Sequence, residues 1–296
     1  MSELISGPSV SVVIPTYNYG RFIAEAIESA LGQTLTALEI VVVDDGSTDD
    51  TETVLRKFGD QVRYVKQLNI GVSDARNRGV DETKGELIAF LDADDIWEPT
   101  KLQKQAEQFA TDNRVGLVHC GMREFHSTTD KTLGFRVEGS DGQVADELLV
   151  WERPAINVSG SAIMVSRKAI DEVGGFDPRL KCGEDWDLCY RIARKYQVGF
   201  VPEPLVNYRI HGAAAHHNVE NMELGMGMFY EKAFATDDPE VLKLKRRAYG
   251  NYHRVMAGSY LHAGRWGKFV EHSAKSLLNR PSNIGYFLGY PLRRLK

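Results

Sequence analysis

Short apolar segments alternate with amphipathic ones along the first third of the chain. Val10–Pro15 is a short β-rich run, LEIVVVDDG is apolar on both faces as in a buried parallel strand, and VRYVK and ELIAFLD read as two further strands. Between the first two lies RFIAEAIESALG, whose apolar residues share one helical face and which ends at Gly32. Repeated strand–helix units of this size predict an α/β fold with a Rossmann-like, mostly parallel sheet and right-handed crossovers.

Local signals indicate further elements. Ser47 and Thr48 are suitable N-caps for a helix that runs through Phe58 and ends at the following glycine. The segment SDARNRGVDETKG predicts a short helix with Ser73 as a candidate cap, and VGFVPEPLVNYRIHG predicts a pair of strands kinked by proline. From about Asn221 the sequence is mostly helical and contains one helical hairpin, which we expect to be an appendage because a solenoid needs several such units.

Composition places the chain among ordinary globular proteins. Hydrophobic residues make up 43% and charged residues 26% of the 296 residues, which argues against disorder. No apolar run approaches the roughly 20 residues that span a bilayer, and we expect no signal peptide at the N-terminus. Three cysteines, an odd number without a CxxC pair, argue against a disulfide framework, so we expect a reducing, cytoplasmic location.

The net charge of −5 is distributed unevenly. Residues 241–296 contain twelve Lys or Arg and one acidic residue, so the rest of the chain is strongly acidic. This basic tail either binds an anionic partner, such as the inner face of a cell membrane, or is the solvated face of a helix; we expect no nucleic acid partner. The membrane hypothesis relies on Arg280, Arg293, Arg294 and Lys296 as charges and on Tyr286, Phe287 and Tyr290 as interfacial anchors.

Three of the predicted strands end in polar clusters. The clusters are PTYN at 15–18, DDGSTDD at 44–50 and DADD at 92–95. Ligands of such sheets bind at the carboxyl ends of the strands, which lie along one edge. One polar loop after a strand would mean little, but three at one edge predict a binding site.

The third cluster is suited to a metal ion. Asp92 and Asp94 are two positions apart, so in an extended segment their carboxylates point to the same side. Like charges that close need a cation between them, and two carboxylates without adjacent His or Cys suit Mg²⁺ or Mn²⁺. Alternatively, the acids cap a helix at Pro99–Gln108, a role that would suit Asp95.

The other clusters contain side chains for a nucleotide pocket. Tyr17 offers an aromatic face to a base, and Asp44 or Asp45 can accept a hydrogen bond from a base N–H. Arg76, close to the acidic edge, either neutralises carboxylates, contacts the nucleotide or forms a structural ion pair. The chain has no Walker-type GxxxxGK[ST] and no GxGxxG after the first strand, so a Gly-rich phosphate-binding loop is not supported. Binding of phosphate through a metal ion is therefore the expected route.

Five segments together resemble glycosyltransferase family 2, whose members have the GT-A fold. They are SVVIPTYN, EIVVVDDGSTDDT, NIGVSDARNRG, GELIAFLDADDIW and GEDWDLCYR, and the similarity covers roughly Ser9–Gly212 in the family's order and spacing. The resemblance implies a GT-A fold, a nucleotide-sugar donor, a Mn²⁺ or Mg²⁺ ion and inversion at the anomeric carbon. UDP is the commonest donor nucleotide of that family.

The resemblance also implies roles for individual residues. Asp185 would be the general base, and Asp94 would bind the metal. Asp92 would lie near the ribose or the metal, and His211 would reach the metal or the diphosphate. The expected nucleotide contacts are Pro15, Thr16, Tyr17, Asn18, Asp44, Asp45, Arg76 and Asp92. The residues expected near the acceptor or the diphosphate are Glu184, Trp186 and Arg209. Alternatively, Glu184 and Asp185 have no catalytic role and stabilise the N-terminus of a helix through its dipole.

On this basis the chain divides into three parts. Residues 1–115 would be the nucleotide-sugar half of a GT-A domain, residues 116–220 its acceptor-binding and catalytic half, and residues 221–296 a basic helical extension. The expected activity is sugar transfer from a nucleotide-diphosphate sugar to a hydroxyl acceptor, a saccharide or a lipid-linked saccharide, in polysaccharide or glycoconjugate synthesis.

Two other functions remain open at this point. A nucleotidyltransferase that makes a nucleotide sugar would share the sheet and the metal chemistry, but it usually has a Gly-rich loop with Arg or Lys after the first strand, which PTYNYGRF lacks. A non-catalytic nucleotide- or sugar-binding module would not need the aspartate pair together with Asp185.

Overall fold

A computed structural model describes residues 7–211 and 219–289 and divides into two compact units. The first unit comprises Met1–Val144, Ala155–Arg179 and Glu184–Ala214, and the second comprises Ala145–Pro154, Leu180–Gly183 and Ala215–Lys296. The three-part division at residues 115 and 220 remains a prediction.

The first unit is built on one sheet. Its strands are β1 (Val10–Thr16), β2 (Glu39–Asp44), β3 (Arg63–Lys66), β4 (Leu87–Phe90), β5 (Ile96–Trp97), β6 (Val115–His126), β7 (Thr132–Arg136), β8 (Ile163–Ser166) and β9 (Gln197–Ile210). In the described residues the strand order is β3-β2-β1-β4-β8-β6-β9-β5, and β7 pairs with β6 beside this path. Pairing is parallel from β3 to β4 and between β6 and β9, whereas β8 is antiparallel to both its neighbours, β4 and β6. The predicted α/β fold with a mostly parallel central sheet is confirmed.

Helices cover both faces of the parallel part of the sheet. The helices among the described residues are α1 (Ile23–Leu31), α2 (Thr51–Leu55), α3 (Val72–Asp81), α4 (Lys101–Thr111), α5 (Ala145–Val150), α6 (Arg167–Val173), α7 (Glu184–Ala193), α8 (Val219–Ala233), α9 (Pro239–His262), α10 (Trp266–Asn279) and α11 (Ile284–Leu288). Apolar residues of α1 and α4 form one core cluster with β1, and Ala75 of α3 packs with Val41 and Val43 on the opposite face. Gly79 lets α3 lie close to the sheet, because a Cβ there would be 2.2 Å from Val13 Cγ1.

The structure corrects three of the local predictions. The helix expected from Ser47 begins instead at Thr51, because Ser47 receives the Asn18 N–H in the turn after β2. It continues as a 3₁₀ turn, and Gly59 (φ +51°) interrupts the helical backbone where the helix was expected to end. The strand pair expected from VGFVPEPLVNYRIHG is the single strand β9, since its prolines fall where the pairing with β6 shifts register and a missing N–H is tolerated. Ser73 lies inside α3, one residue after its start, and therefore is not its cap.

The second unit is helical and contains the predicted hairpin, formed by α9 and α10. Asp238 caps α9 by accepting the Glu240 N–H, and the left-handed Gly264 (φ +72°) turns the chain between the two helices. Helix α8 packs closely against the backbone at Cys182, because a Cβ at Gly225 would lie 2.0 Å from the Cys182 carbonyl oxygen.

A buried polar cluster joins α8, α9 and α10. Glu223 accepts hydrogen bonds from Tyr260 Oη and from His272 Nε2 (3.1 Å), and His272 Nδ1 lies 3.1 Å from His253 Nδ1. Because the carboxylate can only accept, His272 donates from Nε2 and its Nδ1 accepts from His253. Burial lowers the pKa of both imidazoles, that of His253 to about 4, so the cluster is built for neutral rings.

Several bases of the tail are paired within the second unit. Glu152 binds both Arg247 and Arg280, and Arg280 Nη1 also donates to Asn251 Oδ1 (3.0 Å). Tyr286 and Phe287 are partly buried, whereas Tyr290, Arg293, Arg294 and Lys296 lie outside the described residues. The membrane hypothesis for the tail therefore remains a prediction. In the part of the chain that the structure describes, no helix is both long and apolar enough to cross a bilayer.

Candidate active site

The loops after β1 and β2 are joined by hydrogen bonds. Asn18 has a left-handed backbone (φ +58°), and its side-chain oxygen accepts the N–H groups of Thr48 (2.8 Å) and Asp49 (3.3 Å). Asparagine adopts this conformation at little cost, so Asn18 can hold the two loops together as one side of the candidate nucleotide pocket, which we call the Asn18 wall. Beside it, Tyr17 is 43% exposed, which leaves its ring accessible to a ligand.

The two aspartates at the end of β2 make contacts inside the protein. Asp45 accepts the N–H groups of Ile70 (3.0 Å) and Gly71 (2.8 Å) and thereby orders the loop that leads into α3. Asp44 is fully buried and accepts from Tyr64 Oη (2.9 Å). Their predicted contacts with a nucleobase remain predictions.

The loop after β4 carries three carboxylates in different surroundings. The side chains of Asp92 and Asp94 are 26% and 17% exposed, whereas Asp95 is buried. Asp95 accepts from Ser161 Oγ (2.6 Å) and from the Arg209 N–H (2.9 Å). Asp95 therefore stabilises the turn from inside, and its interpretation as a helix cap is wrong because α4 begins further along the chain.

Asp94 is paired with His211 at the end of β9. His211 Nε2 lies 2.8 Å from Asp94 Oδ2. Burial and the neighbouring Asp92 raise the pKa of Asp94, although His211 opposes this, and burial together with Asp94 raises the pKa of Tyr19. Within residues 7–211 and 219–289, no three His, Cys, Asp or Glu side chains are arranged to hold a metal ion by themselves.

Arg76 of α3 binds three carboxylates. Its Nη1 donates to Glu184 Oε1 (2.9 Å) and to Asp185 Oδ1 (3.0 Å), and its Nη2 donates to Asp92 Oδ1 (2.8 Å). Only 4% of the Arg76 side chain is exposed, and its guanidinium lies over the Phe176 ring, 5.2 Å from the centroid. Although burial opposes it, the three acids raise the pKa of Arg76, so the guanidinium is always charged.

Asp185, in the first turn of α7, combines burial with a defined orientation. Its Oδ2 accepts the Gly160 N–H (3.1 Å), and 16% of its side chain remains exposed. Burial raises its pKa to about 7; Arg76 opposes the increase, while Glu184 and Asp92 add to it. A carboxyl group with such a pKa can accept a proton near neutral pH.

Comparison with known proteins decides the family. Residues 11–174 match the family described as Glycosyl transferase family 2. The chain belongs to this family. An uncharacterized glycosyltransferase of Rickettsia prowazekii is 31% identical over 224 residues, which cover 75% of this chain and 70% of that protein. Chondroitin synthase of Escherichia coli is 39% identical over 214 residues, but these cover 69% of this chain and only 29% of that protein.

Solved structures show the same fold. Residues 1–349 of S. aureus TarS in complex with UDP match with a TM-score of 0.64 at 17% identity, over 95% of this chain and 92% of that one. The complex of the same TarS fragment with UDP-GlcNAc has a TM-score of 0.64 at 16% identity. The predicted family and the GT-A fold are therefore confirmed, and the protein is a glycosyltransferase.

The other predicted site residues of this family 2 glycosyltransferase lie at different depths. Pro15 and Thr16 are buried at the end of β1, and Trp186 is partly buried beside Asp185. Arg209 is also buried: its Nε donates to the Asp94 carbonyl (2.7 Å) and its Nη2 to Glu25 (2.7 Å). Arg209 therefore supports the turn that carries Asp94, while its expected contact with acceptor or diphosphate remains a prediction.

Sequence reasoning missed the segment just before β8. Gly160 binds Asp185 through its N–H, and Ser161 binds Asp95 and also accepts the Asp92 N–H (3.0 Å). The only signal in the sequence is the run of small residues SGSA, which is compatible with many loops. Tyr19 was missed as well, although it follows the predicted PTYN cluster directly.

Proposed function

We propose that this glycosyltransferase moves a sugar, with inversion, from a nucleotide-diphosphate donor to a hydroxyl of a saccharide or lipid-linked saccharide. The observation that carries the proposal is the position of Asp185, a carboxyl group with a pKa near neutrality that shares one arginine with Asp92 at the carboxyl end of β4.

Asp185 is the proposed general base. An incoming hydroxyl is a weak nucleophile and needs an acceptor for its proton as the bond to the anomeric carbon forms. A group with a pKa of about 7 is ionised in a large fraction of molecules at neutral pH and binds the proton firmly once it is transferred. A single displacement needs no enzyme nucleophile, so one base suffices, and the configuration is inverted.

The residues around Asp94 fit a divalent cation. The Asp94 carboxylate is an oxygen ligand of the kind that Mn²⁺ and Mg²⁺ sites use, and the His211 imidazole 2.8 Å away would add a nitrogen ligand, which suits Mn²⁺ better than Mg²⁺. Burial and Asp92 raise the pKa of Asp94, an effect that a bound cation would oppose. Asp94 and His211 would hold the ion, with Asp92 beside them, and the donor diphosphate and water would supply the other ligands. When bound, the ion neutralises negative charge that develops on the leaving diphosphate.

UDP is the proposed donor nucleotide. The TarS structures of the same fold carry UDP and UDP-GlcNAc, which supports a uridine donor here. Tyr17 and the Asn18 wall would contact the base, and Asp45 would act through the loop that it orders. The name of the chondroitin synthase relative supports a polysaccharide or glycoconjugate acceptor.

The test measures product release from a panel of UDP-sugars with saccharide acceptors, in Mn²⁺ or in EDTA. We expect release of UDP by the wild type in Mn²⁺ and loss of donor binding in Asp94→Ala, whereas Asp81→Asn on the surface of α3 should behave as the wild type. Release of pyrophosphate would instead identify a nucleotidyltransferase, and donor binding without any release would identify a non-catalytic module.

The basic tail is proposed to attach the enzyme to the inner face of the cell membrane. The excess of Lys and Arg in residues 241–296 supports this proposal. Because Glu152 and Asn251 already bind Arg280, the charges for attachment would come from the other bases of the tail.

A further inference from the structure

Arg76 carries an inference that rests on the proposed function and extends it. The sequence suggests a nucleotide contact for this residue. In the structure, however, its two terminal nitrogens are occupied by Asp92, Glu184 and Asp185, and its side chain is almost completely buried. The three acids use three of the five guanidinium N–H donors, and the remaining donors, among them the unpartnered Nε, are buried with the rest of the side chain and have little access to a phosphate.

We propose that Arg76 is a positioning residue that holds the base Asp185 at a fixed place relative to Asp92, and that Gly160 provides the space in which this link forms. Arg76 therefore acts through Asp185 and Asp92 and does not bind the nucleotide.

The position of Arg76 is itself fixed from several sides. The next residue, Asn77, exchanges two hydrogen bonds of 2.8 Å with the backbone of Phe176, whose ring lies under the Arg76 guanidinium. The close approach of α3 to β1 at Gly79 prevents a shift of the helix toward the sheet. The guanidinium is therefore a rigid reference point, and its planar fork sets the angle between the carboxylates that it binds.

Charge makes the link necessary as well as possible. Three carboxylates converge on one cation, and two of them, Glu184 and Asp92, disfavour the ionised form of Asp185. Without Arg76 they would repel one another and separate, which would move the Asp185 carboxylate and leave more of it protonated at neutral pH. A displacement of about 1 Å can reduce catalysis by about 10²-fold.

Gly160 is the second part of the arrangement. A Cβ at this position would lie 2.8 Å from Arg76 Nη2 and 3.0 Å from Asp92 Oδ1, directly at the contact between the two groups. The Gly160 N–H that Asp185 accepts would be kept by alanine. Gly160→Ala therefore disturbs the Arg76–Asp92 contact while leaving every charge and the hydrogen bond to Asp185 in place.

The first experiment separates charge from geometry. Arg76→Lys keeps a positive charge but loses the fork, so we expect turnover of the UDP-sugar to fall by about 10²-fold while the donor KM changes less than about threefold. Arg78→Lys is the matched control, because Arg78 lies on the same helix with its side chain 54% exposed and should tolerate the change. In Arg76→Ala, added guanidinium should restore part of the turnover and urea should not, a result that a merely structural role would not give.

The second experiment does not depend on replacing a buried charge. Gly160→Ala should lower turnover by about tenfold in a protein that still unfolds cooperatively well above the assay temperature, and Ser159→Ala, which adds no atoms, should match the wild type. Wild-type turnover in both Arg76→Lys and Gly160→Ala would overturn this inference alone. If the wild type itself releases no nucleoside diphosphate, the proposed function fails, and this inference fails with it.

Discussion

Replacing Asp185 by asparagine tests the proposed base and its surroundings together. The amide cannot accept the proton of an incoming hydroxyl, so we expect turnover to fall by roughly 10²–10⁴-fold, which corresponds to about 3–5 kcal/mol in the barrier. Donor binding should persist, because the side chain contacts Arg76 and the Gly160 N–H and no residue proposed to bind the nucleobase.

The pH dependence follows from the raised pKa. With a pKa of about 7, roughly one-eleventh of Asp185 is ionised at pH 6 and ten-elevenths at pH 8, so wild-type turnover should rise about tenfold over this interval. The small residual turnover of the Asn variant should not follow the same curve.

The free energy of unfolding should decrease as the pH rises, whereas turnover increases. The folded-state pKa of Asp185 is about 7, against an ordinary value of 3.8, so its protonated form favours folding and this contribution is lost as the pH rises through 7. The difference of about three pH units corresponds to about 4 kcal/mol in total, of which about 3 kcal/mol is lost between pH 5 and pH 8. Relative to the wild type, Asp185→Asn should therefore gain about 3 kcal/mol of unfolding free energy over that interval.

The assay combines steady-state UDP release with urea unfolding at pH 5 and pH 8. Asp81→Asn makes the same chemical change on the surface of α3 and should alter neither quantity. Turnover of Asp185→Asn within tenfold of the wild type would refute the assignment of the base. A stability difference that does not change with pH would refute the argument from burial.

Three further predictions concern the second unit. Gly225→Ala should destabilise it by about 1–3 kcal/mol in thermal unfolding, because the added Cβ would overlap a carbonyl oxygen. Gly227→Ala is the control: its Cβ would lie 3.7 Å from the nearest atom, so this variant should be neutral or stabilising. Equal thermal midpoints of the two variants would disprove the packing argument. The lowered pKa values of His253 and His272 mean that protonation favours the unfolded state, so stability should decrease as the pH falls below about 6.5, and His272→Gln should reduce this dependence in urea unfolding; an unchanged pH profile would contradict it. Removal of residues 280–296 should abolish flotation with anionic liposomes, and flotation that survives the truncation would reject membrane attachment.

The first four strands of the sheet could be predicted because their signals are local. Apolar runs, glycine stops and polar strand ends lie within short stretches, and parallel units of this kind have few possible topologies. The same local signals indicated where Asp92 and Asp94 would lie. The family resemblance added Asp185, whose acidic surroundings alone also fit a helix N-terminus.

The remaining features depend on contacts between distant parts of the chain. Nothing near Gly160 indicates that its missing side chain makes room for Arg76, since these residues are neighbours only in the folded state. Ser47 has the properties of a cap but binds Asn18 instead, because a turn across two strands competes for its hydroxyl. The inward direction of Asp95 likewise depends on Ser161 and Arg209, which no local pattern connects with it.

The place of β8 in the sheet has a consequence for synthesis of the chain. β8 fills the gap between β4 and β6, although it is made after both. A nascent chain that has emerged only as far as β6 thus exposes an unpaired strand edge at β4, and such edges readily join to those of other chains. Ribosome stalling or truncation before residue 163 is therefore expected to produce aggregation-prone fragments, and expression of the amino-terminal strands alone is expected to require chaperone protection.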